Sequence, residues 1–98
     1  MIDKLQTVIA RYNDLEKLMS QQDAMDNMKN FTKMAREHKS MEKLVIKSKK
    51  YLKNYEQFLE YEEILEGADE ELKELAREEI GVIRDSLTTQ EEILKFLL

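Results

Sequence analysis

An all-α fold is predicted for this 98-residue chain: an elongated antiparallel three-helix bundle, or coiled-coil-like hairpin, with a long central helix. Three observations carry that expectation. The chain has no proline and only two glycines, Gly67 and Gly81, whereas strands need turns and turns lean on Gly, Pro and Asn. Its apolar residues recur at steps of three and four, the spacing of one face of a helix. Charged residues make up 38% of the chain and hydrophobic ones 42%. That balance suits wet amphipathic helices rather than a disordered tail.

The first helix is expected over about residues 3–20. Leu5, Val8, Ile9, Tyr12, Leu15, Leu18 and Met19 form its stripe. The segment "SQQDAMD" then breaks the period. Asp26 is the expected N-cap of the second helix, because a short acid can accept from free backbone N–H groups.

The second helix is expected over about residues 27–66. Its inner positions run Phe31, Met34/Ala35, His38, Met41, Leu44/Val45, Ser48, Leu52, Tyr55, Leu59, Glu62 and Leu65. The mean step is close to the coiled-coil period of about 3.5. "KSKKYLKN" is the weak point of the seam and a candidate kink. Gly67 is the expected stop, as a glycine free to adopt the left-handed C-terminal conformation.

The third helix is expected over about residues 70–97, capped by Asp69, with Glu70 and Glu71 suited to the positive end of its dipole. Leu72, Leu75/Ala76, Ile80, Ile83, Leu87, Ile93/Leu94 and Leu97 form its stripe. Helices of roughly 27, 60 and 42 Å joined by short links run antiparallel. The first covers the first half of the second, and the third covers the second half and somewhat beyond. The two-helix ends would then expose Tyr51, Tyr55 and Phe58, with self-association through them as a consequence. No linker divides the chain, so residues 1–98 are read as a single helical domain.

The chemistry is narrow. There is no cysteine, which excludes disulfides, thiolate nucleophiles and cysteine-ligated zinc. The opening "MIDKLQTVIA", with an acid at position 3 and no long apolar run, does not read as a secretory signal, and no stretch is near the ~18 apolar residues of a membrane span. These features fit a cytoplasmic protein. The only histidine, His38, lacks a second histidine or cysteine for a metal site and lacks the pocket and nucleophile a general base needs. It reads as a seam residue, with Glu42 as its partner one turn on. Residues 60–79 carry ten acids against two bases. They do not match a calcium loop and read as a solvated acidic end. Met19, Met25, Met28, Met34 and Met41 read as adaptable core filling. No catalytic, cofactor-binding or metal-binding residue is identified, and no small-molecule substrate is implied.

One pattern points to a partner. Lys29, Lys33, Arg36, Lys39, Lys43, Lys47 and Lys50 recur by three or four and form a basic ridge roughly opposite the Phe31–Val45 stripe. Such a ridge is either the wet face of an amphipathic helix or a contact for RNA phosphate or an acidic protein face.

The order of residues also resembles the N-terminal helical domain of bacterial class I peptide chain release factors, and more closely the type that reads UAA and UAG. The resemblance rests on "KL" at Lys4–Leu5, "RYNDLEKLMS" from Arg11 to Ser20 and Phe31 followed by "REHKSMEKLV". "LKELAREEI" from Leu72 to Ile80 and the closing "ILKFLL" extend it over essentially the whole chain. Gln21 and Gln22 depart from it, standing where the family often has an acidic residue and a proline. The resemblance implies a fragment of a longer chain whose stop-codon-reading element and Gly-Gly-Gln loop lie downstream. It also implies a non-catalytic, ribosome-facing accessory domain near the base of the ribosomal stalk. The rival expectation is a free-standing coiled-coil adaptor that works by oligomerisation or protein–protein interaction.

Overall fold

A computed structural model describes all residues from Met1 to Leu98. Three α-helices, α1 (Ile2–Met19), α2 (Met28–Glu66) and α3 (Glu70–Leu97), are joined by two connections, and there is no strand. A single 3-10 turn, Ala24–Asp26, lies in the first connection. The long central helix is present: α2 holds 39 residues in one unbroken span, so the suspect segment around Ser48 does not interrupt it. The Ser48 side chain is fully buried, and its hydroxyl donates to the Leu44 carbonyl at 2.7 Å. That bond satisfies a group that would be costly to bury unpaired.

The chain forms two compact units, Met1–Ser48 and Lys49–Leu98. In the first, α1 lies against the first part of α2. Arg11 reaches Glu37 and Tyr12 meets His38, so the later half of α1 meets the first third of α2 across the short link between them, which makes the two helices antiparallel. Leu5, Leu15 and Val45 are its buried apolar side chains. Each contributes roughly 1.5–3 kcal/mol on leaving water, so three of them make a thin core.

In the second unit α3 lies antiparallel to the later part of α2. The Asn54 amide donates to Gln90 Oε1 at 3.1 Å, and the Arg84 guanidinium stands over the Phe58 ring, 5.5 Å from its centre. Tyr51, Ala76, Leu87 and Leu94 are buried. Tyr51 and Tyr55 stack with ring centres 6.3 Å apart.

Several local expectations are corrected. The cap of α2 is Asn27, not Asp26. Asn27 Oδ1 accepts from the Asn30 amide at 3.1 Å, while Asp26 is spent in the 3-10 turn. Gly67 does not adopt a left-handed conformation, since no glycine here has positive φ. Its amide instead donates to the Ile64 carbonyl at 3.0 Å, a tight closing turn. A Cβ at this position would lie 3.2 Å from that same oxygen, so close space rather than an unusual φ favours glycine. Tyr51 is buried, and Tyr55 and Phe58 are half-buried, because α3 covers them. Met25 and Met28 are 62% and 57% exposed and fill no core. Asp69 caps α3 as expected, accepting from the amides of Glu71 and Leu72, both at 3.1 Å. A cap of this kind is worth about 1 kcal/mol.

Candidate functional site

The candidate surface is built on α2 in the first unit. One face of this helix meets α1, through Met34, His38, Met41 and Val45, which are half-buried or buried. Lys29, Lys33, Arg36, Lys39 and Lys43 stand exposed on the other. Lys47 is half-buried, unlike the rest of the ridge, and Lys50 is exposed but belongs to the second unit. The first-unit ridge thus holds five exposed cations. Around its start Met28, Lys29, Thr32, Lys33 and Arg36 line an open groove of about 470 Å³.

None of Lys29, Lys33, Arg36, Lys39 and Lys43 is engaged in an ion pair, and the acid one turn from Lys33 is held from the other helix. Glu37, one turn from Lys33, receives both Arg11 donors across the seam: Nε to Oε2 at 2.6 Å and NH2 to Oε1 at 2.9 Å. This bidentate geometry is the strong form of a carboxylate–guanidinium pair. The bond from Arg11 holds the Glu37 carboxyl below its usual range, with Lys33 adding a smaller pull in the same direction. The same bond raises the Arg11 guanidinium above its ordinary value. The pair is solvent-exposed, so its net stabilisation is small. Both carboxylate oxygens of Glu37 are thus engaged by Arg11 rather than by a ridge cation.

His38 lies on the seam, as expected, with a different neighbour. Its ring stacks on Tyr12, with centres 4.0 Å apart and planes 17° from parallel. Nε2 is 3.3 Å from Glu16 Oε1 but makes no hydrogen bond, so the contact has the distance of an ion pair without the direction of a hydrogen bond. Glu42, the expected partner, is exposed. Burial raises the Tyr12 hydroxyl above its ordinary pKa, and Glu16 and Glu42 add to that by repelling the phenolate. No three His, Asp or Glu side chains converge to hold a metal ion, and no helix is long and apolar enough to cross a membrane.

Two features of this surface are invisible to helical spacing. Arg11 and Glu37 lie 26 residues apart, and only the register of α1 on α2 brings them together. Met25 lies in the 3-10 turn and Met28 is the first residue of α2, and both are exposed. The signal available was the interrupted period at "SQQDAMD".

The PCRF domain family matches residues 8–98 of the chain. The chain is similar to peptide chain release factor 1 of Syntrophus aciditrophicus (strain SB), 42% identical over 98 residues, which is all of this chain and 28% of that protein. It is 34% identical to peptide chain release factor 1 of Helicobacter hepaticus over all 98 residues, covering 27% of that protein. The corresponding protein of Helicobacter pylori (strain G27) is 35% identical with the same coverage. The chain therefore spans little more than a quarter of the length of these relatives. No solved structure matches it.

Proposed function

The chain belongs to the PCRF domain family, and from that premise we propose that it is the N-terminal, ribosome-facing accessory domain of a class I release factor. In this reading it serves stop-codon-dependent translation termination, lies near the base of the ribosomal stalk and is itself non-catalytic. The identity to proteins named peptide chain release factor 1 over the whole chain supports the termination role.

The observation that carries ribosome contact is the unneutralised ridge Lys29, Lys33, Arg36, Lys39 and Lys43. Five exposed cations along four turns of one helix suit a phosphate backbone. Each phosphate contact releases counterions, so binding through the ridge weakens as salt rises. Long-range attraction acts chiefly on encounter rather than on dissociation.

The test uses the full-length factor that carries this domain. Reversing Lys33, Lys39 and Lys43 to glutamate leaves helicity intact, since all three side chains are solvated. Association with stop-codon ribosomes, followed by rapid mixing, is expected to slow at least tenfold at low salt. The difference should shrink at high salt, where screening acts within a few ångströms. Equal association rates at low salt would return the ridge to an ordinary solvated helix face. Peptide release from stalled ribosomes by the 98-residue chain alone, above a no-protein control, would overturn the non-catalytic reading.

A further inference from the structure

We propose that the outer face of α3 around Leu72, Leu75 and Val82 docks a lysine- and arginine-rich amphipathic helix of a partner protein. The α3 side chains buried against α2 are Ala76, Leu87 and Leu94. Leu72, Leu75 and Val82 are 47%, 52% and 63% exposed. At 3.6 residues per turn, Leu75 and Val82 fall on one line about 100° away from Ala76, and Leu72 lies between the two lines. The helix thus carries a second apolar strip that its own hairpin does not cover.

The charges around that strip are of one sign. Glu71, Glu74, Glu78 and Glu79 are exposed beside it, and none of them is engaged in an ion pair within the second unit. The basic residues of α3, Lys73, Arg77, Arg84 and Lys95, are spaced by 4, 7 and 11 and so share the opposite side of the helix. Three of these bases are occupied there. Lys73 and Arg77 lie 3.6 and 3.9 Å from Glu70, and Arg84 covers Phe58. The strip is left with apolar contact and uncompensated negative charge.

That combination selects the partner. Nucleic acid and anionic membrane surfaces are repelled by the glutamates. A partner helix with leucine-like residues at i, i+3 or i+4 and i+7 matches the spacing of a strip that runs about 15 Å from Leu72 to Val82. Lysines and arginines on its flanks complement the acidic rim and speed encounter. The inference is independent of the basic ridge, which lies in the other unit and has the opposite sign.

The experiment is a titration of the isotope-labelled 98-residue chain, followed by amide shifts, with three synthetic helical peptides. The first carries leucines at i, i+3, i+4 and i+7 with lysines elsewhere. The second replaces those lysines with glutamates, and the third replaces the leucines with serines. The first is expected to bind saturably, with the largest shifts at Leu72, Leu75, Val82 and the neighbouring glutamates. The other two should bind at least tenfold more weakly. Leu75→Ser with Val82→Ser, both solvent-facing, should weaken the first peptide at least tenfold with helix content unchanged. Glu74→Gln with Glu78→Gln should weaken it severalfold at low salt and less at high salt. Equal binding of the glutamate peptide, shifts centred outside α3, unchanged affinity in the serine variant, or an RNA oligonucleotide moving the same amides would each overturn the proposal.

Discussion

His38 holds its place in the α1–α2 seam through its ring. It stacks on Tyr12 and has only a poorly directed contact with Glu16. His38→Gln keeps a polar side chain and loses the stack, so it should cost about 1 kcal/mol, within the range of an aromatic pair. Urea unfolding of the 98-residue chain measures that loss. Stop-codon-dependent release by the full-length factor should stay nearly intact, because a tenfold rate loss would need about 1.4 kcal/mol at the transition state and His38 touches nothing that reacts. The Arg11–Glu37 pair responds to pH with a definite sign. Arg11 lowers the folded-state pKa of Glu37, so the folded chain binds that proton more weakly than the unfolded chain. The resulting stability is present above the unfolded-state value of roughly 4.3 and is lost as pH falls through the lower folded value. Glu37→Gln should therefore flatten part of the acid limb of the stability profile, read from urea midpoints across the acid range. Neither contact could be read from sequence, since both join residues more than twenty positions apart. That His38 sits in the seam was legible, because its spacing from Phe31 and Val45 places it there.

At the scale of the helix, local rules succeeded where one residue decided the matter. Asp69 caps α3 by accepting two amides, and an acid directly before "EELKEL" announces it. The start of α2 was harder, because Asp26 and Asn27 are adjacent and both can cap. The 3-10 turn Ala24–Asp26 takes the first and leaves the second. Gly67 shows the same competition at a helix end, where an i→i+3 bond to Ile64 closes the turn without left-handed backbone. Gly81 has no such role. It lies inside α3, its φ is not positive, and a Cβ there would meet nothing within 4 Å. Gly81→Ala should raise stability by about 1 kcal/mol through helix propensity and a less disordered unfolded chain. Thermal unfolding of the two proteins provides the comparison.

Over the whole chain, the apolar period was enough to foresee three helices and a long central one. It was not enough to tell which apolar positions would be covered. The stripes of α2 and α3 include Leu59, Leu72 and Leu75, all more than 40% exposed, because a two-helix unit buries a narrower arc of each helix than a larger bundle does. Conversely, Tyr51 was expected in the open and is 4% exposed. The ridge was legible as a line of cations, whereas the engagement of Glu37 depended on where Arg11 falls. Charge divides between the two units. Up to Ser48 the chain has nine Lys and Arg against seven Asp and Glu, and from Lys49 onward seven against fourteen. A positive ridge and a negative strip therefore coexist on one small chain with a net charge of −5.

The two connections, residues 20–27 and 67–69, contain no lysine or arginine, and all 16 of those residues lie inside α1, α2 or α3. Trypsin therefore has no cleavage site in the exposed links and can cut only after a helix has opened. The links do carry Asp23, Asp26 and Asp69, which an aspartate-specific protease can reach in the folded chain. The two enzymes should part company on the same sample. The aspartate-directed protease should nick the native chain between the helices and leave long helical pieces. Trypsin digestion should proceed no faster than the population of opened helix allows, and should accelerate steeply as the melting temperature is approached. Mass spectra of timed digests at several temperatures separate the two behaviours. Rapid tryptic cleavage well below the melting transition would mean that the helices open locally far more often than their packing implies.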